Sequence, residues 1–97
     1  MNSTDATEAA LRRLRMLYTA VVKRIEMRKA GMNLPGNDMR FVEIQATWVQ
    51  DLMKNLGYLE PQVFRFDIIK AFERDGFPGV LHHLTKIAET VKEGQLK

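Results

Sequence analysis

The sequence predicts an all-α protein: a long helical hairpin extended by two shorter C-terminal helices, in one domain over residues 1–97. Three observations lead there. Apolar residues recur at spacings of three and four through most of the chain, the period of an amphipathic helix. Glycine and proline gather in three short clusters, at 31–38, 57–61 and 75–79, which divide the chain into four segments. Only residues 63–69 have the aromatic and β-branched composition of a strand, and no second segment could pair with them.

The first helix is expected over about residues 5–30. Ser3, Thr4 and Asp5 are all capable N-caps, and Asp5 and Glu8 put carboxylates where the helix dipole favours them. Leu11, Leu14, Tyr18, Val21 and Ile25 alternate spacings of three and four, and Ala10 and Leu17 widen that stripe. The shorter later helices leave part of it to be covered by a second copy, so these five residues are assigned to a homodimer interface, which also suits a domain small enough to gain from shared burial.

Gly31 is placed as a C-terminal cap and Pro35-Gly36 as a turn, closing the hairpin. Asn37 or Asp38 then caps the second helix, which ends at Gly57 in a left-handed position. This helix carries two apolar lines. Val42, Ala46, Val49, Met53 and Leu56 form one that suits a core; Phe41, Ile44, Trp48 and Leu52 form another, roughly 100° away. A two-helix hairpin has nothing to cover the second line, and Phe41, Ile44 and Trp48 are assigned to a partner-binding surface. The alternative for Trp48 is a core position among helices three and four.

Pro61 suits the first turn of a third helix, which keeps helical spacing through Phe64, Ile68, Ala71 and Phe72 and is ended by Asp75-Gly76 with Phe77-Pro78. A fourth helix is expected from about 79 to 93 on Val80, Leu81, Leu84, Ile87, Ala88 and Val91, with Gly94 after it.

Charge is distributed unevenly. Residues 1–30 hold seven basic groups against three acidic, whereas residues 31–97 hold eight against nine, so the positive excess sits on helix one. Arg12, Arg13 and Arg15 are assigned to electrostatic contact with an acidic partner; the plainer reading of such a face is solvation. Nucleic-acid binding is the rival, since the pI is near 9.5. It is weakened by the fourth helix, whose Val80-Leu81-His82-His83-Leu84 start has too few polar groups for a recognition helix.

No constellation for catalysis stands out. There is no cysteine, Ser3 is the only serine, and the glycines sit at caps and turns. His82 and His83 are adjacent, about 100° apart on a helix, and cannot make a same-face metal pair. The expectation is a non-enzyme with no metal and no cofactor. The N-terminus has no basic and apolar leader, and no apolar run approaches the roughly 20 residues of a membrane span; the expected location is the cytoplasm.

A basic first helix, a Gly/Pro loop, Asp38-Met39-Arg40-Phe41-Val42-Glu43 opening helix two and Asn55-Leu56-Gly57-Tyr58-Leu59-Glu60-Pro61 closing it together resemble the small bacterial quorum-sensing antiactivators of the TraM and QslA type. The resemblance covers about residues 8–61. It implies an all-helical protein that binds a LuxR-type transcription activator and blocks its dimerisation or DNA binding, without catalysis or cofactor.

Overall fold

The computed structural model describes residues 3–34 and 36–96, with side chains from 5 to 94 except that of Pro35. It contains four helices: α1 (Ser3–Lys29), α2 (Asp38–Asn55), α3 (Pro61–Asp75) and α4 (Phe77–Leu96), with no strand among the described residues. The 63–69 segment is helical.

The joints follow from local chemistry. Asn37 caps α2, its side-chain oxygen accepting from the Arg40 N–H at 2.7 Å. Helices α1 and α2 end alike, with a glycine of positive φ (Gly31, 77°; Gly57, 93°) whose N–H donates to the carbonyl three residues back while the next residue's N–H reaches five back. That paired closure needs a left-handed residue, the conformation glycine adopts without a Cβ penalty. Pro61 opens α3. The joint between α3 and α4 is a single residue, Gly76, so α4 begins at Phe77 rather than 79 and continues through Gly94 to Leu96. Helix α1 begins at Ser3, ahead of the expected start at Asp5, so Ser3, Thr4 and Asp5 lie inside its first turn and none of them is its N-cap; Pro35 of the expected Pro35-Gly36 turn lies outside the described residues.

At about 1.5 Å per residue α1 is about 40 Å long, and it sets the long axis of a body measuring 44 × 21 × 19 Å. Successive helices alternate in direction. Arg24 near the end of α1 meets Asp38 at the start of α2, Gln50 of α2 meets Arg65 of α3, and Phe72 near the end of α3 meets Phe77 at the start of α4. The hairpin expected of the first two helices is not how they pack: α1 lies chiefly along α4 and α2 along α3, while α1 and α2 come close over only a short stretch.

This arrangement overturns the reasoning that assigned Leu11, Leu14, Tyr18, Val21 and Ile25 to a homodimer interface. Leu14 and Val21 are buried within one chain, Leu11 and Ile25 are partly buried against the same core, and only Tyr18 is exposed. The reason is α4, which is longer than expected and covers the stripe, so that the buried face of α1 is centred on Ala10, Leu14, Leu17 and Val21. The core continues through Val42, Val49 and Met53 of α2, Ile68 of α3, and Val80, Leu84, Ile87 and Val91 of α4.

Where α1 approaches α2, a polar clamp replaces apolar packing. Asp38 Oδ1 accepts from Arg24 Nε at 2.9 Å and from Arg28 Nη2 at 2.8 Å, and the Arg24 guanidinium lies 4.7 Å from the centre of the Phe41 ring, an attractive cation–π geometry. Partial burial pushes the Asp38 carboxyl upward, but the hydrogen bonds from Arg28 and Arg24 and their two positive charges together outweigh it, and the group titrates below its usual 3.8. A lowered folded value means that the clamp's contribution is complete above the unfolded value and is lost as pH falls through the folded one. The stability gap between the wild type and Asp38→Asn is therefore expected to be constant near neutrality and to narrow as pH is taken from about 4 towards about 2, read from urea unfolding midpoints. A gap that persists undiminished through that window would remove the clamp as its source.

Candidate protein-binding face

Helix α2 buries Val42, Gln45, Ala46, Val49, Leu52 and Met53 and turns Ile44 and Trp48 outward, 41% and 57% exposed. The three residues assigned to a partner surface thus have two environments. Phe41 is half-buried, edge-on to Phe77 at 6.2 Å between ring centroids and beneath Arg24; Ile44 and Trp48 are exposed. Trp48 is not the core tryptophan that was the alternative reading.

Beside these two side chains runs a shallow groove of about 540 Å³ between α2 and α3, lined by Met39, Arg40, Glu43, Ile44, Thr47 and Trp48 on one wall and Arg65, Ile69 and Glu73 on the other. Arg65 bridges the helices, its Nη1 donating to Gln50 Oε1 at 3.4 Å while its guanidinium lies 5.4 Å from the centre of the Phe66 ring. Phe66 is 49% exposed and stands about one turn on from exposed Val63 on α3, with Leu59 exposed in the connection before the helix. Of the eight large apolar side chains exposed among the described residues, Ile44, Trp48, Leu59, Val63 and Phe66 lie on α2, α3 or their connection. The Leu59, Val63 and Phe66 line was missed in the sequence. Part of its signal was present, because Val63 and Phe66 keep a helical spacing offset from the Phe64, Ile68 and Ala71 line that enters the core, whereas Leu59 precedes the helix.

Arg12, Arg13 and Arg15 are all exposed on α1, and none makes an ion pair among the described residues, whereas Arg24, Arg28, Arg40 and Arg74 each have a carboxylate within 4.0 Å. Met16, 70% exposed, lies among them. The histidines diverge as expected of adjacent residues: His82 is exposed, and His83 is half-buried with Nε2 4.0 Å from Asp67. Burial lowers the His83 pKa, the Asp67 charge opposes this, and Lys86, His82 and Arg74 add to the lowering. Among the described residues no group of three His, Cys, Asp or Glu is placed to hold a metal ion, and no helix is long and apolar enough to cross a membrane. Ile44 and Trp48 thus edge the groove beside Arg65, Ile69 and Glu73, whereas Leu59, Val63 and Phe66 are exposed without lining it.

Comparisons with protein-family models, with curated proteins and with solved structures find no match to the chain.

Proposed function

We propose that the protein acts in the cytoplasm as an antiactivator, binding a LuxR-type transcription activator through the outer face of α2 and α3 and blocking the activator's dimerisation or DNA binding. The observation that supports a protein partner is the gathering of Ile44, Trp48, Leu59, Val63 and Phe66 on one pair of helices; apolar surface of this kind is characteristic of interaction sites. The class of partner rests on the resemblance of residues 8–61 to quorum-sensing antiactivators. Arg12, Arg13 and Arg15 supply a positive surface that speeds encounter with an acidic partner and adds little to folding.

The test is an operator-release titration with a LuxR-type activator bound to its DNA. Wild-type protein is expected to release the DNA. Trp48→Ala is expected to cost about 2 kcal/mol or more of binding, as buried tryptophan anchors do, while losing far less stability than the roughly 3–5 kcal/mol of a core aromatic, since the side chain is 57% exposed. An activator left on its operator by the wild type would end the antiactivator reading, and a Trp48→Ala protein that releases it normally would remove this face from the mechanism. Direct, sequence-selective binding of duplex DNA, lost on replacing Arg12, Arg13 and Arg15 by Gln, would favour nucleic acid instead.

A further inference from the structure

We propose that the outer face of α2 pairs antiparallel with the same face of a second copy of this chain, so that the free protein covers in a homodimer the surface it offers its partner. The masking rests on the partner-binding reading above; the pairing does not.

The argument lies in the order of exposed side chains along α2. Arg40 stands at one end, Ile44, Thr47 and Trp48 in the middle and Asp51 at the other, all exposed and all within about 100° of the helix circumference. A cation, an apolar centre and an anion in that order are self-complementary in only one orientation. With the helices parallel and in register, Arg40 would face Arg40 and Asp51 would face Asp51. With them antiparallel about a two-fold axis between Ile44 and Thr47, each Arg40 lies opposite the other copy's Asp51, and Ile44 lies against the other copy's Thr47 and Trp48. This is the isologous contact that a two-fold axis requires, with every interaction made twice.

The groups that would cross the seam are available. Arg40 has only a loose contact with Glu43, 3.9 Å between side chains that are 70% and 47% exposed, and Asp51 makes no ion pair among the described residues. Arginine on an aromatic face already occurs twice within the chain, in Arg24 over Phe41 and Arg65 over Phe66, and Trp48 of a second copy offers Arg40 a third such face. Leu14 and Val21 of the α1 stripe, by contrast, are buried within the chain and are not available for association.

Light scattering on the free wild-type protein at tens of micromolar is expected to give twice the 11.2 kDa of one chain. Arg40→Asp should weaken association by about tenfold or more, since it sets like charges opposite each other, and combining it with Asp51→Arg should restore the dimer with the charges exchanged. Both positions are exposed, and circular dichroism verifies that each variant is folded. On dilution of the wild type, Trp48 emission should move to the red as the seam opens. A monomeric wild type, a dimer indifferent to Arg40→Asp, a charge-exchanged variant that stays monomeric, or emission that does not change through dissociation would each overturn the pairing. These measurements need no partner, so they stand whatever the operator-release titration shows. Masking adds that an activator is captured more tightly by the monomeric Arg40→Asp protein than by the wild type at dimer-forming concentration; equal or weaker capture would overturn it.

Discussion

Leu84→Ala is expected to remove about 2–5 kcal/mol of folding stability, the range for deleting a buried leucine side chain. Leu84 is only 2% exposed and stands on α4, the one helix that packs along both α1 and α3. That position decides the magnitude. Surrounding helices collapse into a cavity only when one of them is free to shift, and α4 is held on two sides. Small domains have total stabilities of about 5–15 kcal/mol, so the substitution consumes a large part of the whole. Urea unfolding followed by far-ultraviolet circular dichroism should show a lower midpoint with an unchanged slope, the sign of altered stability without altered compactness. A loss below about 1 kcal/mol would mean that α4 does not sit at the centre of the core.

How the helices begin and end was legible because those signals are local. Gly31 and Gly57 as left-handed closures and Pro61 at the start of α3 each act within a turn of themselves and are found where the residues place them, and of the two candidate N-caps of α2, Asn37 and Asp38, the structure has Asn37. The pairing of helices was not legible. An amphipathic stripe such as Leu14–Leu17–Val21 states that a face is buried and not what buries it, so it does not separate α2, the next helix in sequence, from α4, which lies along α1 in the structure. The single-residue joint at Gly76 adds two residues to the start of α4, and its continuation to Leu96 adds three at the end.

The second apolar line of α2 shows the same limit at the scale of one side chain. Phe41, Trp48 and Leu52 point within about 40° of one another on an ideal helix, and no wheel separates them. Their neighbours do. Arg24 and Phe77 close over Phe41 at the end where α1 and α2 meet, Leu52 is buried at 8% exposure, and Trp48 between them stays 57% exposed, along a seam where α1 and α2 have little close contact. The exposure of Trp48 thus results from helix pairing, a long-range property, and the proposed binding face inherits the part of the fold that local patterning does not encode.

Gly79→Val is expected to cost about 3 kcal/mol or more, at the upper end for overpacking, with Gly79→Ala destabilising in the same direction by less. Gly79 lies near the start of α4 with an ordinary helical φ, so intrinsic propensity alone would make alanine better than glycine by up to about 1 kcal/mol. Packing reverses the sign. A Cβ at this position would stand 2.5 Å from the Ala71 carbonyl oxygen and 2.9 Å from the Asp75 Cβ. The first is backbone of α3 and cannot rotate away, so α3 and α4 must separate, and the Phe72–Phe77 contact at 5.1 Å lies beside the point that opens. Gly94, on the same helix, supplies the contrast: its Cβ would meet only the Tyr58 hydroxyl at 3.6 Å, an ordinary contact, and Gly94→Ala should be neutral or stabilising by up to about 1 kcal/mol. Thermal unfolding of the three variants side by side reads the comparison directly. If Gly79→Ala proved as stable as Gly94→Ala, the close approach of α3 and α4 through this glycine would be refuted, and with it the tight joint from which α4 runs back along α1.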